Sequence, residues 1–136
     1  MRPQCTVEVR AEIKSSEDAQ KVCLAIQGVL PDLVVSYNTR TVSATSDDIS
    51  VLDSLRNAVK ARQVQAGLRR NLVRNTNNNT TKFYLNKQAS FASTVAICDE
   101  QNESPMGPIQ ITLTSSDMGS VIVWLCGKAN QTNNNF

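Results

Sequence analysis

The chain has 136 residues, of which 40% are hydrophobic and 19% are charged, with a net charge of +2, four cysteines and no histidine. No apolar run reaches the ~18 to 20 residues that cross a bilayer, and the alternating start is unlike a signal peptide, so we expect a cytoplasmic protein with no membrane partner. The absence of histidine excludes the usual general base and the Ser/His and Cys/His nucleophile pairs, so we expect no enzyme. The cysteines are scattered along the sequence, which argues against a metal site, and no Gly-rich phosphate loop is present, which argues against a nucleotide cofactor. We therefore expect no cofactor.

The first part of the chain predicts a strand, a helix and a hairpin. Residues 5–13 alternate strictly between apolar and polar side chains, which is typical of a half-buried strand. Residues 15–18 combine serines with acidic side chains and precede apolar residues at helical spacing up to Pro31, which predicts a helix of about three turns that is capped by a serine. Residues 33–37 and 41–45 predict two short strands joined by a turn that begins at Asn38.

The segment from residue 49 to about residue 74 predicts one long helix with two apolar stripes. The first stripe contains Leu55, Val59, Ala66 and Val73, and the second contains Val64, Leu68 and Leu72 with Ala61. Between them lies a polar ridge, about 27 Å long if the helix is straight, that contains Arg56, Lys60, Gln63, Gly67, Arg70 and Arg74. Because each apolar stripe of a helix must be buried against other apolar surface, we expect Val64, Leu68 and Leu72 to contact either the core or a second subunit.

The second half of the chain predicts three further strands, at residues 81–85, 93–98 and 109–113. Residues 86–90 show neither a strand period nor a helix period. Residues 117–126 have the apolar content of a strand, but they lie between a helix N-cap signature and a glycine that suits a helix end. The residues alone therefore leave a helix and a strand open for this segment.

The order of these elements indicates the α+β class, with an antiparallel sheet that has helices packed on one face. The strands alternate between polar and apolar residues, and there are too few crossover helices for a parallel sheet. We expect a single domain over residues 1–128, with two halves, 1–75 and 80–128, that share a core as an alternative. Residues 129–136 are polar and are expected to be a frayed tail.

Basic residues are concentrated in the middle of the chain. Residues 54–98 contain eight basic and no acidic residues, whereas the rest of the chain contains six basic and twelve acidic residues. Such a split favours a basic surface that faces a polyanion, and we expect a structured RNA held through its phosphates. The alternative is that these cations pair with acidic side chains of the flanking segments in the folded chain.

Residues 83–91 mix aromatic, basic and amide side chains, which can stack on bases and hydrogen-bond to their edges. We expect Phe83 and Leu85 in the core, and Tyr84, Lys87 and Gln88 could serve either RNA or the fold. The full set of expected RNA contacts consists of Arg56, Lys60, Arg70, Arg74, Lys82 and Lys87 on phosphates, and Tyr84, Asn86 and Gln88 on bases.

Residues 85–89, Leu-Asn-Lys-Gln-Ala, followed by residues 104–109, Ser-Pro-Met-Gly-Pro-Ile, resemble the signature of an uncharacterised archaeal protein family described as RNA-binding. The resemblance extends to the opening strand, the Arg/Gln helix, where Gln63 and Arg70 match, and the segment that contains Trp124. It implies a fold like that of the large-subunit ribosomal protein that holds 5S rRNA, a homodimer, and a helix at residues 117–126. The alternative function is a homodimeric interaction or scaffold module with no nucleic-acid role.

Overall fold

The computed structural model describes residues 2–100, 103 and 106–128, and they form a six-stranded antiparallel sheet with helices. The strands are β1 (Thr6–Glu12), β2 (Ser36–Tyr37), β3 (Thr41–Ser46), β4 (Thr80–Asn86), β5 (Ile97–Cys98) and β6 (Pro108–Thr114), in the order β2-β3-β1-β6-β4-β5. The helices are α1 (Ala19–Val29), α2 (Asp53–Ala61), α3 (Gln65–Asn75), α4 (Lys87–Phe91) and α5 (Met118–Cys126). A short 3-10 helix (Ile49–Leu52) precedes α2. The predicted α+β class with an antiparallel sheet is confirmed, and both halves of the chain contribute strands to the one sheet.

One face of the sheet carries the core and the other carries polar side chains. In the central pair, Val9 of β1 lies opposite Ile111 of β6, and both are fully buried under α1, α2, α3 and α5. Their neighbours point the other way, so that Glu8 lies opposite Thr112 and Arg10 lies opposite Gln110 on the outer face. The strict alternation of apolar and polar residues in β1 is therefore explained by a sheet that has one face toward the core and one face toward solvent.

The elements predicted for the first 48 residues are present with small changes. The N-cap of α1 is Asp18 rather than a serine, and its carboxylate accepts a hydrogen bond from the backbone N–H of Gln20 at 2.9 Å. The hairpin turn is held by Asn38, whose side-chain oxygen accepts from the N–H groups of Arg40 and Thr41. The strand before it is shorter than predicted, because only Ser36–Tyr37 pairs with β3.

The prediction of one long helix over residues 49–74 is wrong, because the chain breaks between α2 and α3. Gln63 takes a left-handed conformation with φ of 58°, its N–H donates to the carbonyl of Lys60, and the N–H of Val64 donates to the carbonyl of Val59. These two bonds are the Schellman ending of a helix, which glycine usually permits at the position that Gln63 occupies. The straight polar ridge of the sequence prediction therefore does not exist.

The break changes which side chains face the core. Leu55 and Val59 of α2 are fully buried, but after the break the buried residues of α3 are Leu68 and Leu72, while Val73 is 59% exposed. The first predicted stripe is thus correct in α2 and wrong in α3. In the second predicted stripe, Leu68 and Leu72 lie inside the core of their own chain, Val64 is half-buried against it, and Ala61 is exposed, so the prediction for Ala61 is wrong.

The second half of the chain differs from prediction at two short elements. Residues 86–90, which have no sequence period, begin the five-residue helix α4, which Asn86 caps by accepting from the N–H of Ala89 at 2.9 Å. The strand predicted at residues 93–98 is reduced to Ile97–Cys98. Residues 117–126 form a helix, as the family resemblance implies, with Asp117 at its N-cap. The predicted tail at residues 129–136 lies outside the described residues.

Candidate nucleic-acid interface

The eight basic side chains between residues 54 and 98 divide into two groups in the structure. Four of them make polar contacts within the chain, namely Arg56, Arg69, Arg74 and Lys87. The other four make no side-chain hydrogen bond or ion pair with any residue that the structure describes, namely Lys60, Arg62, Arg70 and Lys82. All four are exposed, so their charge is directed to solvent.

Two arginines of the first group hold the C-terminal end of α5. Arg56 donates from Nε to the carbonyl of Trp124 at 2.6 Å, and its guanidinium lies 4.9 Å from the centroid of the Trp124 ring. Arg69 donates to the carbonyls of Cys126, at 2.9 Å, and Gly127. The last carbonyls of a helix have no partner within the helix and carry partial negative charge, so these two cations stabilise the fold.

Arg74 joins α3 to the segment that follows β5. Its Nη2 donates to the side-chain oxygen of Asn71 at 2.8 Å and to the carbonyl of Asp99 at 2.9 Å. The buried Asn71 amide reaches the Asp99 carboxylate at 3.4 Å. Arg74 is still exposed, so it is available at the edge of a basic surface but not as a mobile cation.

Lys87 lies in the interior of the molecule, with 0% of its side chain exposed. Its ammonium donates to the carbonyls of Glu12, at 2.8 Å, and Met106, at 2.7 Å, and to the carboxylate of Glu17 at 3.0 Å. Because no part of the side chain reaches solvent, Lys87 does not belong to the candidate interface, which corrects the sequence prediction. The bond to Met106 also joins the two segments that carry the family resemblance.

The three side chains predicted to contact bases lie in three different environments. Tyr84 is only 7% exposed, and the side-chain oxygen of Asn86 is occupied by the cap of α4. Gln88 is exposed. Phe83 and Leu85 are fully buried, as predicted. Of the predicted base contacts, Gln88 alone is freely accessible.

The unpaired cations at the break between the two helices form a surface that the sequence prediction did not contain as a unit. We call Lys60, Arg62 and Arg70 the turn cations. Arg62 and Gly67 line one groove of about 340 Å³, which Asp99 also lines. The Arg70 guanidinium lies 3.6 Å from the position that a Cβ on Gly67 would take, so it is next to the same groove. Arg62 was missed because a straight helix places it off the polar ridge.

Among the described residues no acidic side chain forms an ion pair with the turn cations, although Asp99 lines the same groove. The ion pairs among the described residues are Arg2 with Asp53, Lys14 with Glu12, and Lys87 with Glu17. Lys87 is therefore the one member of the basic segment for which the charge-pairing alternative holds in the described part of the chain. The positive charge of the turn cations is balanced by no contact of this kind.

The cysteines and acidic residues offer no metal-binding arrangement within the described ranges. The four thiols are free, and burial raises the pKa of Cys126 to about 12 and raises the pKa of Cys5, Cys23 and Cys98 as well. A raised pKa disfavours the thiolate, which is the form that binds metals and attacks electrophiles.

Among the described helices none has the length and apolar content needed to cross a membrane.

Comparison with known proteins finds similarity to archaeal proteins over most of the chain. A family model described as RNA binding matches residues 6–115. A UPF0201 protein of Methanothermobacter thermautotrophicus is 32% identical over 119 residues, covering 88% of this chain and 89% of the relative, and one of Metallosphaera sedula is 29% identical over 128 residues, covering 92% and 90%. The crystal structure of a UPF0201 protein from Methanococcus jannaschii superposes with a TM-score of 0.77 at 20% identity, covering 93% of this chain and 96% of the other.

Proposed function

The chain belongs to the protein family whose model is described as RNA binding, together with the archaeal UPF0201 proteins, and we propose that it binds a structured RNA through its phosphates without catalysis. The observation that carries this proposal is the group of turn cations, which are exposed and have no acidic partner among the described residues. Phosphates are the natural counter-charge for such a group, since Arg and Lys supply most backbone contacts in nucleic-acid complexes.

The turn cations would be the centre of the contact surface, and two predicted residues would extend it. Arg56 has its Nε bound to Trp124, which leaves its Nη groups for phosphate oxygens. Arg74 is held by Asn71 and Asp99 but is exposed beside them. Cations fixed to helices follow the shape of a backbone and do not read bases, so we expect preference for folded RNA over sequence selectivity from this surface.

A double charge-removing variant tests this surface. We expect Arg62→Gln/Arg70→Gln to bind a short hairpin RNA about tenfold more weakly than the wild type at constant salt, because two phosphate contacts and their counterion release are lost. Fluorescence anisotropy with a labelled hairpin measures the effect.

The matched control is Lys21→Gln/Arg40→Gln, which removes the same net charge from α1 and the hairpin turn, where both side chains are exposed. The control is expected to bind within about twofold of the wild type. Equal losses in the two variants would mean that overall charge and not this surface drives binding, and no loss in either would contradict the proposal.

The alternative of a scaffold module loses its predicted contact surface. Leu68 and Leu72 are covered by the core of their own chain, and Val64 packs against that core. We also propose a homodimer, as the family resemblance implies, but it would use a surface other than this stripe.

A further inference from the structure

A polar pocket of about 490 Å³ lies where the end of α3 and the loop after it meet the outer face of the sheet. Its volume is within the ~300 to 1,000 Å³ that small-molecule sites occupy. Its polar side chains come from the end of α3, from the loop after it, from β4 and from β6, and are Asn75, Asn77, Asn78, Lys82, Gln110 and Thr112.

The pocket carries one uncompensated positive charge. Lys82 is exposed, makes no ion pair with a described residue, and no carboxylate lines the pocket. The nearest acid along its cross-strand row is Glu8, which is two strands away, since Lys82 pairs with Thr112 and Thr112 with Glu8. Two strand spacings amount to about 10 Å, so the site favours an anion.

The amides around Lys82 retain hydrogen-bonding groups. Asn75 donates from Nδ2 to the carbonyl of Lys82 at 2.9 Å, which leaves its side-chain oxygen, and Gln110 donates to the hydroxyl of Thr112 at 3.3 Å, which leaves its own oxygen. The side chains of Asn77 and Asn78 make no hydrogen bond with any described residue. An amide offers a donor and an acceptor together, which is the arrangement that pairs with the edge of a nucleobase.

We propose that this pocket binds one nucleotide of a single-stranded RNA segment, with Lys82 on a phosphate and the loop and β6 amides on the base edge. The inference rests on the proposed RNA-binding function and extends it to base selectivity. Single-stranded RNA presents its base edges freely, whereas the major groove of an RNA helix is too narrow for side chains and its minor groove is recognised mostly through shape, 2′-hydroxyls and phosphates. Arg70 and Asn75 belong to the same helix and lie about 8 Å apart along its axis and about 140° apart around it, so an RNA on the turn cations would have to pass around the end of α3 for its next nucleotides to reach the pocket.

The test uses isotope-labelled protein, four single-stranded homotetranucleotides of RNA and one blunt hairpin RNA whose tetraloop bases are stacked and paired with one another, so that the hairpin offers no free base edge. We expect a tetranucleotide to shift the side-chain amide resonances of Asn77, Asn78 and Gln110 saturably, with at least about a tenfold preference for one base. The variant Asn77→Ala/Gln110→Ala should lose about tenfold in affinity for that tetranucleotide and bind the blunt hairpin like the wild type. Gln20→Ala/Gln27→Ala, on the exposed face of α1, is the matched control and should change neither affinity.

The outcomes separate this inference from the proposed function. If the hairpin does not bind but a tetranucleotide shifts the resonances of the pocket amides, the pocket inference is supported and the proposed role of the turn cations is contradicted. If the hairpin binds and no tetranucleotide shifts those amides, or if the pocket variant binds tetranucleotides like the wild type, the pocket inference is wrong. Equal affinity for all four bases would also overturn it, because it would indicate a phosphate contact without base recognition.

Discussion

Replacing Lys87 with methionine is expected to lower the free energy of unfolding by about 3 to 5 kcal/mol, the range seen when one partner of a buried ion pair is removed. The ammonium is the counter-charge of Glu17, whose side chain is 6% exposed, and it satisfies the carbonyls of Glu12 and Met106. The carboxylate of Glu17 accepts from Lys87 and from the backbone N–H of Lys14 at one oxygen, and its second oxygen is buried without a hydrogen bond from any described residue, so Lys87 is the only cation that compensates its charge there. Urea unfolding followed by circular dichroism measures the loss.

Lys82→Met is the control, since Lys82 lies on β4 close to Lys87 in sequence but is exposed and unpaired among the described residues. It should change stability by less than about 0.5 kcal/mol. Adding Glu17→Gln to Lys87→Met should recover part of the loss, because the uncompensated charge is removed. A small effect of Lys87→Met, or an equal effect of Lys82→Met, would contradict the stabilising role of the buried contacts of Lys87 with Glu17, Glu12 and Met106.

Leu68→Ala is expected to destabilise the protein by about 2 to 5 kcal/mol, the cost of deleting a buried leucine side chain and leaving a cavity. Val73→Ala should cost less than about 0.5 kcal/mol, because Val73 is mostly exposed after the helix break, while Leu68 is fully buried. Thermal or urea unfolding of the two variants compares them directly. A comparable cost for Val73→Ala would favour the straight helix and contradict the break at Gln63.

The same variant distinguishes the core from a subunit contact. If Leu68 lay between two subunits, the unfolding midpoint of wild type and variant would depend on protein concentration, because dissociation would be coupled to unfolding. We expect the difference between Leu68→Ala and the wild type to be constant over a hundredfold range of concentration. A difference that shrinks on dilution would restore the dimer contact predicted from the sequence, because the contribution of a subunit contact vanishes when both proteins dissociate.

β1, β6 and α1 could be predicted from the sequence because their periodicity is strong. β1 and β6 alternate over seven residues each, and α1 repeats its apolar residues at helical spacing, whereas the residues of α5 left a helix and a strand open and its helix followed from the family resemblance. Two features were missed for identifiable reasons. The helix break has Gln63 at a position that usually signals itself with glycine, and α4 is too short, at five residues, to show a helical period.

The sequence predicts that basic residues are concentrated between residues 54 and 98, but it does not predict which of them are exposed and available to a ligand. The concentration of cations is visible in the sequence, but their partners are distant along the chain: Lys87 donates to a residue 75 positions away and Arg56 to one 68 positions away. Which cations face solvent therefore depends on tertiary contacts. The polar pocket depends likewise on the register that places Lys82 opposite Thr112.

The two segments that carry the family resemblance contact each other in the folded chain. Residues 85–89 contain Lys87 and residues 104–109 contain Met106, and the ammonium of the first donates to the carbonyl of the second. Through the contacts of Lys87 with Glu12, Glu17 and Met106, the described part of these segments joins β1 and the residues before α1 to α4. The predicted likeness to the ribosomal protein that binds 5S rRNA stays a prediction, whereas the likeness to the UPF0201 structures describes the whole fold.

The salt dependence of RNA binding tests the central claim most directly. The wild-type protein is titrated with a hairpin RNA at several salt concentrations, and the logarithm of the association constant is plotted against the logarithm of the salt concentration. About four phosphate contacts, from the turn cations and a flanking arginine, predict a slope of roughly −3, which Arg62→Gln/Arg70→Gln should reduce by about 2. A slope near zero, or no binding at low salt, would contradict RNA binding through this surface.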